Sequence, residues 1–243
     1  MKKVAIVLAA GKGVRMRSEI PKVSHMIAGK PMIVMVLEEV KELGLDHVFV
    51  VVGYKSETVK EECEGFDVTF VEQKEQLGTG HAVMQAAPYI KDSIVLVLNG
   101  DTPLIKSDTL EEFISFHLKN SPTSATVMTA VLPDAGSYGR IVRGSDGRVR
   151  KIVEKKDANE EESAIKEINT GIYCFDSKDL FGALNGIKPS NAQKEYYLTD
   201  VIGIFTERKL PVNAYKVRDP NEVLGVNTIE ELARLEELFK NAS

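Results

Sequence analysis

The chain has 243 residues, 43% of them hydrophobic and 28% charged, with 31 Lys plus Arg against 36 Asp plus Glu for a net charge of -5. That composition belongs to a folded globular protein and excludes a disordered, collagenous or low-complexity chain. Without a basic excess there is no footprint for a phosphate backbone, so nucleic acid is excluded as an expected partner.

The chain opens on Met1, Lys2 and Lys3 ahead of an apolar run. That run ends in Gly11-Lys12-Gly13-Val14-Arg15 rather than a small-residue cleavage site, which makes it a first strand, not a signal peptide. No apolar run approaches the ~20 residues of a membrane helix, so no membrane association is expected. The two cysteines, Cys63 and Cys174, show no CxxC or Cys/His spacing. A disulfide framework and a zinc site are thereby excluded, and reduced thiols fit a cytoplasmic protein.

Val4 to Leu8 predicts a strand, Pro31 to Leu43 a helix with Pro31 at its first position and Gly44 after its end, and Val48 to Val52 a strand. Further strands are predicted over Val68 to Val71 and Ile94 to Leu98, with a helix from Gly80 to Ala87 between them and Thr79 as its cap. Asp108 and Glu111 are spaced as a capping box for a helix through Lys119, followed by a strand from Ala125 to Val131. This alternation predicts a mostly parallel sheet.

From Tyr138 the rhythm changes. Arg140 to Arg143 and Arg148 to Val153 flank Gly144-Ser145-Asp146-Gly147, which has the composition of a hairpin loop and turns the sheet partly antiparallel. Ile168 to Phe175 and Val212 to Val217 predict strands, and Glu195 to Phe205 a helix. Thr228 with Glu231 forms a second capping box, opening a last helix with the stripe Ile229, Leu232, Leu235, Leu238 and Phe239. The expected organisation is one body over residues 1–227 and a C-terminal helix over 228–243.

Chemistry concentrates at three places. Leu8-Ala9-Ala10-Gly11-Lys12-Gly13-Val14-Arg15-Met16 runs a strand into a glycine-rich basic loop, where backbone N–H groups and the charges of Lys12 and Arg15 suit phosphates. It matches neither the dinucleotide fingerprint nor a Walker A loop, and an ordinary strand-to-loop turn would use the same glycines. Lys22 can fold back on those phosphates, although a lone lysine is ordinarily only solvated. Asp101 follows a strand at the carboxyl edge of the sheet, where open α/β folds bind ligands and where a carboxylate suits Mg²⁺. In Gln76-Leu77-Gly78-Thr79-Gly80-His81 two glycines and a hydroxyl stand at a helix entrance, exposing backbone groups to a base or ribose; structural punctuation is the competing reading. His81 lacks a Ser/Asp or Cys partner set and is given no role, and Met16, Met26, Met32 and Met35 read as core filling.

Taken together, LAAGKGVRM, PKVSHMIAGKPM, EQLGTGHAV, NGDTPL, YGRIV, IVEKKDA, EINTGIY, EYYLTD and GVNTIEEL resemble the uridyltransferase domain of the bacterial bifunctional N-acetylglucosamine-1-phosphate uridyltransferase and glucosamine-1-phosphate acetyltransferase family, over nearly the whole chain. The resemblance implies a Rossmann-like α/β nucleotidyltransferase fold with a mixed, mostly parallel sheet and a partly antiparallel sugar-binding region. It implies that UTP and N-acetylglucosamine 1-phosphate react to UDP-N-acetylglucosamine and pyrophosphate with Mg²⁺. By matching motif, Leu8, Ala9, Ala10, Gly11, Gln73, Gly78 and Thr79 would bind the nucleotide. Arg15, Lys22 and Asp101 would be catalytic, Asp101 and Asn227 would hold Mg²⁺, and Gly139, Glu154, Asn169 and Tyr197 would bind the sugar.

Asn99 departs from family members that carry Tyr before Gly-Asp, which touches one peripheral contact. The family's left-handed β-helix acetyltransferase region has no counterpart in these residues. Rival expectations are uridyl transfer to another sugar 1-phosphate, a metal-dependent glycosyltransferase, for which Asp101-Thr102-Pro103 lacks the second carboxylate of an Asp-x-Asp motif, and a nucleotide-sugar sensor without turnover.

Overall fold

The computed structural model describes residues 1–242. Strand β1 (Lys2–Ala9) runs into a loop and a small hairpin, β2 (Met26–Ile27) and β3 (Lys30–Pro31), before α1 (Met32–Glu42). Then follow β4 (His47–Val52), α2 (Ser56–Glu62), β5 (Thr69–Glu72), α3 (Thr79–Ala86), β6 (Ser93–Asn99), α4 (Ser107–Lys119) and β7 (Ala125–Val131). The later region holds β8 (Gly139–Arg143), β9 (Val149–Val153), α5 (Glu160–Ser163), β10 (Glu167–Asp176), α6 (Ser177–Leu184), α7 (Asp200–Glu207), β11 (Val212–Lys216) and α8 (Ile229–Ala242).

The main sheet has the order β11-β7-β10-β6-β1-β4-β5, with the β8–β9 hairpin branching from β10. β1 pairs in parallel with β4 on one side and β6 on the other, so the order reverses at β1 and opens a crevice at the carboxyl ends of these strands. β10 is antiparallel to both β6 and β7, as the change of rhythm after Tyr138 predicts. The sheet is mixed and mostly parallel in its first half, in line with the sequence reading.

Both faces of the sheet are covered, which is why its strands are nearly continuous apolar runs. Val4 and Ile6 pack with α3, α6 and α7 residues such as Val83, Leu180 and Phe205. Ala5, Val7 and Ala9 face the opposite core with Val36 and Leu37 of α1 and Phe113 of α4. Burying each Ile, Val or Leu side chain contributes roughly 1.5–3 kcal/mol, so the two-residue period of β1 ties it to both cores at once. A third cluster joins Met16, Met32 and Met35 to Leu224, Val226 and Leu235 of the C-terminal segment, bearing out three of the four core methionines. Met26 is the exception at 53% exposed, because the short β2–β3 hairpin buries only one face.

Local expectations needed several corrections. Pro31 precedes α1 in extended conformation instead of occupying its first turn, since it pairs with Met26 in the hairpin. Thr79 is the first residue of α3, not its cap; its hydroxyl accepts from Leu198 N–H at 3.1 Å. α4 begins at Ser107, whose N–H donates to the Glu39 carboxylate at 2.7 Å, so the Asp108/Glu111 box does not form. The helix expected from Glu195 starts only at Asp200. Its first residues are committed elsewhere: Tyr196 N–H donates to Leu77 O and Tyr196 O accepts from Gly80 N–H, both at 2.8 Å. α2, α5 and α6 lacked a sequence prediction.

Candidate active site

The glycine-rich loop leaves the carboxyl end of β1, and its geometry explains one glycine directly. Gly13 has φ +67°, and a Cβ there would stand 2.6 Å from Lys22 Cβ. Any side chain would therefore push away the lysine that the sequence reading brought to the same loop. The Lys22 stem passes over Gly13, and its ammonium pairs with Asp101 Oδ2 at the end of the crevice.

Asn227 completes this cluster from the far end of the chain. Its Oδ1 accepts from Lys22 Nζ at 2.7 Å and from Arg15 at 2.8 Å. The position of Asn227 is built by several bonds: Val226 N–H donates to Asp101 O at 3.0 Å, and Asn227 N–H donates to Glu231 Oε2 at 2.6 Å. Thr228 Oγ1 accepts from Glu231 N–H at 3.2 Å, but the Glu231 carboxylate accepts from Asn227 N–H rather than from Thr228 N–H, so only half of the predicted box forms. Tyr138 clamps the same segment, its hydroxyl accepting from Gly225 N–H at 2.8 Å. Burial pushes the Tyr138 phenol up to about 12, so it stays protonated at neutral pH.

On one side of this cluster lies a cavity of about 440 Å³ lined by Leu8, Ala10, Gly11, Lys12, Gln73, Gln76, Gly78 and Thr79 among others. Gln73 is 3% exposed; its Nε2 donates to Gly78 O at 3.1 Å and contacts His81 Nδ1 at 3.0 Å. These contacts hold the amide of Gln73 in one orientation at the base of the cavity. Gln76 follows by donating to Gln73 O at 2.9 Å.

On the other side lies a second cavity of about 270 Å³, which includes Gly139, Glu154, Asn169, Tyr138 and Thr199 in its wall. Gly139 on β8 stands opposite Asn169 on β10, so the antiparallel register itself sets these two residues side by side. Burial raises the Glu154 carboxyl above its ordinary range, opposed by a 3.4 Å hydrogen bond from Thr199 and reinforced by the negative charges of Asp157, Asp200 and Glu195. Leu8, Lys22, Thr79, Asn99 and Asp101 line both cavities, which makes them two ends of one cleft with the charged cluster at the seam.

Of the expected site residues, Ala9 and Tyr197 do not line either cavity. Ala9 is 1% exposed, its methyl turned into the core. Tyr197 is 7% exposed, with a buried hydroxyl that has no hydrogen-bond partner. Tyr138, Gln76, Glu195 and Thr199 line the cleft and were not singled out as site residues from the sequence. Tyr138 opens the motif YGRIV, Glu195 and Thr199 lie in EYYLTD and Gln76 in EQLGTGHAV, but nothing in their local pattern separates a wall residue from a surface one.

The cleft can take an elongated anion. Arg15, Lys12 and Lys22 supply positive charge, while Asp101 and Asn227 offer one carboxylate and one amide oxygen converging on a single ammonium. Among the described residues no group of three or more His, Cys, Asp or Glu is placed to hold a metal ion. A sparse oxygen pair of this kind fits a hard divalent ion that keeps water and takes its remaining oxygens from phosphates. Among the described residues no helix is long and apolar enough to cross a membrane.

The family model for nucleotidyl transferases matches residues 4–220. The "Bifunctional protein GlmU" of Geobacillus sp. (strain WCH70) is 48% identical over 242 residues, covering 99% of this chain and 52% of that protein. The protein of the same name from Streptococcus pyogenes serotype M3 (strain ATCC BAA-595 / MGAS315) is 50% identical over 242 residues, with 99% and 52% covered. The chain spans about half the length of the curated relatives it matches. A crystal structure of UDP-glucose pyrophosphorylase complexed with UDP-glucose superimposes over 100% of both chains with a TM-score of 0.79 at 21% identity, a likeness of fold.

Proposed function

Because this chain belongs to the nucleotidyl transferase family, we propose that it transfers a uridylyl group from UTP to N-acetylglucosamine 1-phosphate, giving UDP-N-acetylglucosamine and pyrophosphate. The carrying observation is the meeting of Arg15, Lys22, Asp101 and Asn227 at the seam between two cavities. One cavity would take the nucleotide, through Leu8, Ala10, Gly11, Gln73, Gly78 and Thr79, with Ala9 contributing backbone only. The other would take the sugar, with Gly139, Glu154 and Asn169 in contact and Tyr197 behind them. We assign the transfer to residues 1–227, with the C-terminal helix expected over 228–243, which is α8 (Ile229–Ala242) with residue 243 outside the described residues, buttressing Asn227.

Nucleotidyl transfer depends on positioning and charge stabilisation more than on covalent work by the protein. A phosphate oxygen of the sugar phosphate attacks the α-phosphorus of UTP in line, and the bond from that phosphorus to the bridging oxygen breaks, releasing pyrophosphate. The nucleophile is already ionised at neutral pH, so no side chain need remove a proton. Arg15 and Lys22 neutralise the phosphate charge during the transfer. Asp101 and Asn227 would hold Mg²⁺, which when bound supplies Lewis-acid neutralisation of phosphate oxygens. The free, buried Cys63 and Cys174 support a cytoplasmic location.

Pyrophosphate release from UTP plus N-acetylglucosamine 1-phosphate, with and without Mg²⁺, tests this reading. Magnesium-dependent release is expected. Folded protein that binds UTP without releasing pyrophosphate would make it a nucleotide-sugar sensor instead.

A further inference from the structure

Lys22 occupies an unusual position for a phosphate-binding lysine. Its ammonium does not point into open cleft: it pairs with Asp101 and donates to Asn227 Oδ1 at 2.7 Å, touching both oxygens of the pair that would bind metal. Arg15 holds the same Asn227 oxygen at 2.8 Å. The side chains of Lys22 and Asp101 are only 17% and 14% exposed, so water screens the pair poorly. A divalent ion on these oxygens would stand within a few ångströms of the Lys22 ammonium in a partly dry site, where like-charge repulsion opposes it while Lys22 stays in place.

We propose that Lys22 is a built-in counter-ion that competes with the divalent metal for Asp101 and Asn227, and that nucleotide phosphates make the metal site by drawing Lys22 and Arg15 away. The proposal rests on the reading of Asp101 and Asn227 as metal-holding residues. The triphosphate offers both side chains new anionic partners, while the carboxylate and the amide oxygen become available to the ion. Metal and nucleotide then bind with positive coupling, which is reciprocal by linkage. The loop favours the exchange, since Gly13 leaves the Lys22 stem unobstructed by a side chain. Lys22 thus has two successive partners, a carboxylate first and phosphate afterwards.

Mn²⁺ binding, read by loss of its free-ion electron paramagnetic resonance signal, tests this without turnover. Without nucleotide, the wild type is expected to bind Mn²⁺ weakly, and Lys22→Met to bind it at least ~10-fold more tightly, since a unit positive charge is removed from contact with both oxygens. Lys22→Arg keeps the charge and should stay near wild type, and Lys22→Met combined with Asp101→Asn should lose the gain. With the non-cleavable analogue α,β-imido-UTP, wild type should recruit Mn²⁺ and Asp101→Asn should not. If the analogue recruits Mn²⁺ in that Asp101-dependent way but Lys22→Met binds no more tightly than wild type alone, competition is overturned and the metal reading stands. If Asp101→Asn never differs from wild type, the metal reading fails and the proposal with it. A measurement on unsubstituted protein guards against misfolded variants: the ¹⁵N ammonium resonance of Lys22 should move with Mg²⁺ and analogue together and stay put with the same Mg²⁺ alone. Movement with Mg²⁺ alone, at a concentration that fills the site only when the analogue is present, would overturn the proposal.

Discussion

The backbone N–H of Asn227 donates to Glu231 Oε2 at 2.6 Å, joining a cleft residue to the first turn of the last helix. Through this bond α8 sets the angle at which Asn227 meets Lys22 and Arg15. Glu231→Ala removes the bond and is expected to lower stability by about 1 kcal/mol, as loss of a helix cap does. It should also raise KM for UTP by more than that stability loss explains at temperatures where the protein stays folded. Glu231→Gln, whose amide oxygen still accepts, should restore KM. Steady-state kinetics of the two variants decide between a positioning role and a purely structural one.

Glu154 places a carboxyl in the cleft wall at a cost in stability. Its folded pKa is raised, mainly by burial, so the native state holds its proton more tightly than the unfolded chain. Stability therefore falls as pH rises through and above the ordinary carboxylate range of 4.5, and the effect is absent well below it. Glu154→Gln should raise the melting temperature by roughly 2–4 °C at pH 7, the shift that about 1 kcal/mol produces at this size, and leave it unchanged at pH 3.5. The same variant should lower kcat/KM for the sugar phosphate. A melting series across pH, set beside the kinetics, checks both halves.

His117 works with the opposite sign. It is 2% exposed on α4, its Nδ1 lies 2.8 Å from Thr126 Oγ1, and burial pushes its pKa from 6.5 down to about 4, with Asp176 opposing. Between those values the unfolded chain binds a proton that the native state refuses, so stability falls as pH drops from 6.5 to 4. Replacing it with Gln, which keeps a polar partner for Thr126, should remove about 3 kcal/mol of that acid sensitivity between pH 7 and 4. Urea unfolding at several pH values measures the difference. Parallel curves for wild type and His117→Gln would refute it.

Gly78 is a tight passage in the cavity proposed for the nucleotide. It has φ +110°, and a Cβ there would lie 2.6 Å from Tyr196 O and 2.9 Å from Glu195 Cβ. Gly78→Ala is expected to destabilise by about 1–3 kcal/mol and to weaken UTP binding, because the strained backbone carries the carbonyl that orients Gln73. Gly147→Ala, at φ +76° in the β8–β9 hairpin with open space around it, should lose stability without losing UTP affinity. Calorimetric titration of UTP into both variants separates strain from site damage.

The amino-acid pattern by itself determined the strands of the main sheet, whose β-branched runs are local signals, but not the β2–β3 hairpin, and it determined the change at Tyr138 to antiparallel pairing, which hairpin composition announced. It also determined which residue types could meet phosphate, since Gly11, Lys12, Gly13 and Arg15 follow one strand directly. Tertiary structure alone decided where the segment from Glu195 went. Its side chains suit a helix, but its backbone groups bond to Leu77 and Gly80 across the fold. Tertiary structure likewise decided that Gly139 stands against Asn169, a matter of strand register. The same holds for the charged seam: Asn227 meets Lys22 across 205 positions because the segment after β11 returns to Asp101, whose carbonyl accepts from Val226 N–H. The physical reason is range. Propensity, capping and periodicity act over a few residues, whereas a cleft is closed by packing energies that become available only after the strands have chosen their neighbours.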